Sequence, residues 1–333
     1  MTKFFFPFFI IGFLFSCHST QLQTTEKSGE TYAHTITAEN LKKHLYIYAG
    51  DEMEGRMTGT EGQRRASAYI RDFYIKNGIP SPLKDTYYQP IPGSYFRGYT
   101  RGEASENVLA FVKGSEKPEE VVVISAHLDH VGMDEDGNIF NGADDDGSGT
   151  VSLMEIARAF QKAASEGNGP KRSVLFLHVT GEEIGLFGSR YYVENPVFPL
   201  KNTVCNLNMD MIGRIDPDKK DNPEYIYLIG SKMLSTELYE ISEEVNKKHV
   251  QLELDYKFDA PDDPNRFYYR SDHYNFARNN IPVIFYFNGV HEDYHKITDT
   301  PDKIEYELMA KRARLVFLTA WEVANREERL KLD

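Results

Sequence analysis

Short apolar runs alternate with amphipathic segments along most of this chain, and this alternation limits the fold more than any other feature of the sequence. Short apolar runs between turn signals are typical of buried strands, whereas apolar residues three or four positions apart are typical of helices. Strands that alternate with helices favour a largely parallel sheet covered on both faces. The predicted fold class is therefore α/β, with three layers and a mostly parallel, mixed central sheet.

The predicted elements form one large catalytic domain. Predicted strands span Val108–Val112, Val121–Ser125, Val174–Val179, Val204–Asp210, Tyr225–Ile229, Leu252–Tyr256 and Val283–Phe287. Predicted helices span Ala38–Tyr48, Gly62–Asn77, Gly149–Ala164, Gly185–Val193, Ser235–Lys248 and Ile304–Glu327. The turn between the first two strands predicts a hairpin, and the Pro-, Gly- and Tyr-rich stretch 77–102 predicts an irregular connection. No repeat or second core is visible, so residues 105–333 are predicted as the catalytic domain and residues 35–104 as a helical extension packed on it.

The N-terminus is typical of an exported protein. Lys3 precedes about a dozen mostly apolar residues, a secretory pattern too short and too Pro-broken for a membrane-spanning helix. Leu14–Cys17 resembles the lipobox of bacterial lipoproteins, which predicts residues 1–17 as a signal peptide and Cys17 as a lipid attachment site. Residues 18–34 are predicted as a flexible tether. We therefore expect a lipid anchor in the cell envelope, facing the periplasm, as the only membrane contact; an ordinary signal peptide and secretion are the alternative.

Charge and cysteine content exclude two classes of protein. Lys and Arg number 38 against 51 Asp and Glu, a formal net charge of −13. Because affinity for phosphates comes from clustered cations, a general nucleic-acid binder is excluded. The two cysteines, Cys17 and Cys205, do not make a disulfide framework, and Cys205 is predicted to be a buried thiol without a catalytic role.

Acidic and histidine side chains follow the ends of several predicted strands. They are His127, Asp129, the Asp144–Asp146 run, Glu182, Glu183, Asp210 and His295. Each alone could be a structural histidine or a capped turn, and the three consecutive acids lack the ligand spacing of a calcium loop. In an α/β sheet, however, loops beyond the carboxyl ends of strands converge, so these groups together predict a site for two divalent ions.

The residue patterns of these segments, and their order along the chain, resemble those of metallopeptidase family 28, the di-zinc aminopeptidases. The matching phrases are His-Leu-Asp-His, Gly-Ala-Asp-Asp-Asp-Gly-Ser-Gly, Gly-Glu-Glu-Ile-Gly-Leu-Phe-Gly-Ser, Asn-Met-Asp-Met-Ile-Gly and Tyr-His-Lys-Ile-Thr-Asp-Thr. The resemblance covers about residues 107–300 and implies the zinc-exopeptidase fold with two Zn²⁺ ions per chain.

The resemblance also implies a ligand set. His127 and Asp210 would bind one zinc, and Glu183 and His295 the other. Asp145 would bridge the two ions, and the peptide bond after it would be cis.

Three further roles follow from the same resemblance. Glu182 would be the general base that takes a proton from the attacking water, and Tyr294 would donate to the oxyanion. Asp129 would hold the His127 ring through its other nitrogen, because residues two apart on an extended segment point the same way.

The resemblance predicts an exopeptidase that removes N-terminal residues from peptides. A carboxypeptidase or a glutaminyl cyclase on the same fold is the alternative, and a catalytically silent peptide-binding lipoprotein is the alternative from another class. The sequence does not indicate an oligomeric state.

Overall fold

The described part of the chain comprises residues 1–4, 28–260 and 262–333 of a computed structural model. Most of the predicted signal peptide, including Cys17, and most of the predicted tether lie outside these residues. Among the described residues, no helix has both the length and the apolar character needed to cross a membrane.

Eight α-helices and eight strands make up the regular structure of the described residues. The helices are α1 (Gly29–Ala33), α2 (Ala38–Tyr48), α3 (Glu61–Lys76), α4 (Gly149–Ser165), α5 (Phe187–Glu194), α6 (Thr236–Val245), α7 (His273–Ala277) and α8 (Tyr306–Asn325). The strands are β1 (Tyr88–Ile91), β2 (Ser105–Val112), β3 (Lys117–His127), β4 (Arg172–Val179), β5 (Thr203–Met209), β6 (Tyr225–Ile229), β7 (Glu253–Asp255) and β8 (Val283–Phe287).

The strands form one mixed sheet in the order β1-β2-β4-β3-β5-β8-β6-β7. The central strands β4, β3, β5 and β8 are parallel to one another, as are β6 and β7, whereas β1–β2, β2–β4 and β6–β8 pair antiparallel. The predicted α/β class with a mostly parallel, mixed sheet is therefore confirmed, and the carboxyl ends of four strands meet at one edge.

Both faces of the sheet are buried, as its apolar strands predict. Along β3, Val122 and Ile124 pack into the cluster that also contains residues of α2, α4 and α8, whereas Val121 and Val123 pack into the cluster beside α5 and α7. Successive side chains of a strand point to opposite faces, so a continuous apolar run is suited to a sheet between two helical layers. The three-layer prediction is confirmed by this arrangement.

The predicted hairpin between β2 and β3 is wrong, because β4 lies between these strands. The connection from β2 passes the beginning of β4, where Ser115 N donates to Pro170 O at 3.0 Å and Lys117 N to Lys171 O at 2.8 Å. β4 then pairs antiparallel with β2 and parallel with β3. A crossover through α4 returns the chain to this position, which a turn signal alone does not reveal.

The N-terminal region departs from prediction at two points. Residues 29–33 of the predicted tether form helix α1, where Tyr32 packs on Trp321 with ring centroids 5.6 Å apart. Burial of these apolar side chains against α8 orders the segment. The irregular connection contains β1, an edge strand that includes Pro90, and edge strands tolerate proline because one side needs no backbone donor.

Candidate metal centre

The predicted metal-binding side chains lie together at the carboxyl edge of the central strands. His127 is the last residue of β3, Asp210 follows β5, Glu183 follows β4, His295 lies in the loop after β8, and Asp145 lies in the turn before α4. Because the central strands are parallel, these separate loops reach the same edge of the sheet.

One group surrounds the His127 ring. Its Nε2 lies 3.2 Å from Asp145 Oδ1 and 3.6 Å from Asp210 Oδ1. The ring is 1% exposed, and Nε2 has no hydrogen-bond partner among the described residues. A buried nitrogen without a partner that faces two carboxylates is the arrangement expected of a metal ligand.

A second group shares Asp145 with the first. His295 Nε2 lies 3.0 Å from Asp145 Oδ2 and 3.1 Å from Glu183 Oε2. The two oxygens of Asp145 thus face different histidines, which places this carboxylate between two clusters.

The donor set fits two zinc ions. Two atoms bound to one tetrahedral zinc at about 2.0–2.2 Å are roughly 3.3–3.5 Å apart, close to the nitrogen–oxygen separations in both groups. Burial would lower the pKa of His295, but contacts with Asp145 and Glu183 raise that pKa to about 10. The carboxylates therefore stabilise a cation at this position strongly.

Backbone hydrogen bonds fix Asp145 from behind. The Asp299 carboxylate accepts from Asp144 N at 3.0 Å and from Asp145 N at 3.2 Å. The peptide bond between Asp145 and Asp146 is cis, as the resemblance implied.

The contact between Asp129 and His127 differs from the predicted one. The His127 Nδ1 lies 3.1 Å from the Asp129 backbone oxygen and 3.7 Å from its carboxylate. Because β3 ends at His127, Asp129 lies beyond the paired strand whose geometry the prediction assumed. The carboxylate instead accepts from Thr58 Oγ1 at 2.8 Å and from Glu182 N at 3.2 Å.

Two contacts to the candidate ligands were missed by sequence reasoning. Ser271 Oγ donates to Asp210 Oδ2 at 2.7 Å, and His130 Nδ1 lies 2.8 Å from Glu183 Oε1. His130 lies inside the His-Leu-Asp-His motif, whereas Ser271 lies outside all of the quoted motifs. The loop geometry that brings them to Asp210 and Glu183 is not visible in the sequence.

Glu182 and Tyr294 line the same cleft as Asp145, Glu183 and Asp210. Tyr294 stacks on His295 with ring centroids 3.9 Å apart. Burial raises the pKa of Glu182 well above its usual range, and Asp210 and Glu183 raise it further, whereas His127 lowers it.

Residues 107–320 match the family model of peptidase family M28. The chain belongs to peptidase family M28. The predicted resemblance is confirmed by this match, and the zinc-exopeptidase fold is confirmed by solved structures. The Legionella pneumophila aminopeptidase LapA superposes with a TM-score of 0.70 at 20% identity, over 98% of this chain and 81% of that chain.

Curated relatives share shorter stretches with this M28 chain. A probable zinc metalloprotease of Leptosphaeria maculans is 29% identical over 60% of this chain and 39% of its own length. A Caenorhabditis elegans homolog of glutamate carboxypeptidase 2 is 34% identical over 34% of this chain and 14% of its own length. The chain thus spans less than half the length of either relative.

Proposed function

We propose that this chain is a zinc-dependent exopeptidase that removes N-terminal residues from peptides. The observation that carries the proposal is the position of Asp145, whose two oxygens face two different histidines that also approach other carboxylates. This arrangement is what a pair of neighbouring divalent ions requires.

In the proposed site, His127 and Asp210 would hold one zinc, Glu183 and His295 would hold the other, and Asp145 would belong to both ligand sets. Bound zinc ions supply Lewis acidity, which polarises a peptide carbonyl and lowers the pKa of a coordinated water. The protein holds its ligands in place with hydrogen bonds such as that from Ser271 Oγ to Asp210 Oδ2, at 2.7 Å.

Glu182 is the proposed general base. Its backbone N–H donates to Asp129 Oδ1 at 3.2 Å, which fixes the start of its side chain at the edge of the cleft. Because burial and neighbouring carboxylates raise its pKa, the carboxylate takes a proton from the attacking water more readily than an exposed glutamate would. Glu182 then returns this proton to the leaving amine.

Tyr294 is the proposed oxyanion donor. Its ring is held by stacking on His295. Among the described residues that line the cleft, Tyr294 is the one tyrosine. A preorganised O–H in a partly dry cleft stabilises the charge that develops on the carbonyl oxygen.

Part of the lining of the cleft beside the carboxylates is apolar. Its lining includes Met211, Phe267, Phe285, Phe287 and Val290. Apolar pockets of this kind bind apolar side chains, and nearby carboxylates attract the positively charged amine of a free N-terminus. We therefore propose peptides with an apolar N-terminal residue as the substrates.

A carboxypeptidase is the second candidate, because Arg270 also lines the cleft. Its exposed side chain lies over the Phe267 ring, with Cζ 4.9 Å from the centroid. A guanidinium recognises carboxylates through paired hydrogen bonds and could thus bind a C-terminus. The name of the glutamate carboxypeptidase homolog agrees with this candidate.

Product analysis on end-blocked peptides tests the proposal. We expect the zinc-loaded chain to release the first residue of Leu- and Phe-initiated peptides with blocked C-termini, and to leave N-acetylated peptides intact. Release from the C-terminus of acetylated peptides would support the carboxypeptidase, pyroglutamate formation a cyclase, and no product a silent binding protein. Glu182→Gln should keep its zinc and lose 10²-fold or more in kcat; near-normal turnover would reject its role as base.

A further inference from the structure

His130 contacts the candidate zinc ligand Glu183 but has no part in the proposed chemistry. Its side chain is 1% exposed, and its Nδ1 lies 2.8 Å from Glu183 Oε1. The ring packs so closely on Gly142 that a Cβ there would lie 2.5 Å from two ring atoms. A bridge to Met57 and a 3.3 Å hydrogen bond from His130 N to Arg56 O fix its backbone.

The contact has the geometry of a hydrogen bond to a ligand. The two oxygens of Glu183 are divided, since Oε2 faces His295 at 3.1 Å while Oε1 faces His130. A nitrogen–oxygen separation of 2.8 Å is shorter than the roughly 3.3–3.5 Å between two ligands of one tetrahedral zinc. His130 Nδ1 is also 3.8 Å from Asp145 Oδ2, farther than His295 Nε2 at 3.0 Å.

The surroundings of the second ring nitrogen indicate which nitrogen carries the hydrogen. His130 Nε2 is buried and has no hydrogen-bond partner among the described residues. An unpartnered N–H in that place would lose a hydrogen bond to water, so the hydrogen is better placed on Nδ1, where Glu183 accepts it. The ring then acts as a fixed donor.

We propose that His130 is a positioning residue that holds Glu183 in the orientation needed for one of the two zinc ions. This inference rests on the proposed two-zinc site. Hydrogen bonds to metal-binding carboxylates reduce the freedom of the ligand, and their loss typically costs 10- to 100-fold in metal affinity. The effect should be confined to the zinc held by Glu183 and His295, because His130 does not contact Asp210 or His127 within hydrogen-bond distance.

Zinc competition titrations with a chromophoric chelator test the proposal on the full chain. His130→Leu removes the donor, whereas His130→Asn keeps a side-chain N–H near the position of Nδ1. We expect His130→Leu to bind one of its two zinc ions 10- to 100-fold more weakly, and His130→Asn to recover most of that loss. Thermal unfolding of the metal-free proteins reports on folding separately, and His130→Asn should unfold within a few degrees of the unsubstituted chain.

Ser271→Ala provides the matched control, because Ser271 donates to Asp210 at the other candidate ion. If each substitution weakens a different zinc, the double variant binds both ions weakly. Wild-type affinity in His130→Leu, or equal losses in His130→Asn and His130→Leu, would each overturn the proposal. A double variant that keeps one tight zinc, although Ser271→Ala alone weakens one, would also overturn it. Fewer than two zinc ions on the unsubstituted chain would instead reject the proposed function.

Discussion

Replacement of Arg56 by methionine should destabilise the fold strongly. Arg56 is 0% exposed, and its guanidinium donates to four backbone oxygens: Tyr48 O and Leu128 O at 3.2 Å, Asn141 O at 2.6 Å and Gly142 O at 2.8 Å. These carbonyls belong to α2 and to the loops on either side of the candidate metal centre. One side chain thereby ties the N-terminal region to the segments that carry His127 and Asp145.

The magnitude follows from which carbonyls keep another donor. Leu128 O also accepts from Tyr48 Oη at 2.8 Å, and Gly142 O accepts from Gly147 N at 3.1 Å. Tyr48 O and Asn141 O would lose the hydrogen bond from Arg56. Each buried oxygen left without a donor lowers the stability of the folded state by about 1–3 kcal/mol. The expected loss in the free energy of unfolding is therefore about 2–6 kcal/mol, a large share of the roughly 5–15 kcal/mol of a typical domain.

Urea unfolding followed by circular dichroism measures this loss. Arg65→Met is the matched control, because Arg65 is about one-third exposed and its pair with Glu54, at 2.9 Å, is a surface salt bridge. Such pairs contribute about 0–1 kcal/mol. A free energy of unfolding for Arg56→Met within 1 kcal/mol of that for Arg65→Met would refute the reasoning.

Three further predictions concern single groups. Burial lowers the pKa of His178 from 6.5 to about 3, so the unfolded chain binds this proton at a higher pH than the folded chain does. The free energy of unfolding should therefore fall as the pH drops from 6.5 towards 3, by up to about 1.4 kcal/mol per pH unit. His178→Gln should flatten this slope in metal-free urea titrations, whereas the same change at the exposed His34 should not; equal slopes would contradict the assignment. Tyr294→Phe should lower kcat about 10²- to 10³-fold with zinc content unchanged, and an unaltered kcat in steady-state assays would exclude oxyanion donation. Burial raises the pKa of the Cys205 thiol to about 12, so a thiol reagent should label Cys205 only after unfolding. Rapid labelling at Cys205 itself in the native chain, located by peptide mapping, would show that this thiol is accessible.

The sequence predicts elements best where an apolar pattern and its boundaries agree. The bounds of Ala38–Tyr48, Tyr225–Ile229 and Val283–Phe287 match the structure without adjustment. Strand β1 has only four residues and contains Pro90, so its pairing at the sheet edge depends on β2 rather than on its own pattern. The order of the strands in the sheet could not be predicted either, because packing, and not the turn between β2 and β3, sets the position of β4 between these two strands.

The candidate site was predictable to the extent that strand ends determine it. Parallel strands bring His127, Asp210 and Glu183 to one edge whatever the details of the loops. The contact between His130 and Glu183 joins residues 53 positions apart and depends on how two loops pack, which no local pattern contains. The same dependence explains why the backbone oxygen of Asp129, rather than its carboxylate, is nearer to the His127 ring.

Anomalous diffraction from crystals of the zinc-loaded protein, collected at the zinc edge, tests the two-zinc site most directly. We expect two peaks about 3.5–4 Å apart, one beside His127 and Asp210 and the other beside Glu183 and His295, with Asp145 in contact with both. A single peak, or two peaks that do not share Asp145, would contradict the proposed centre.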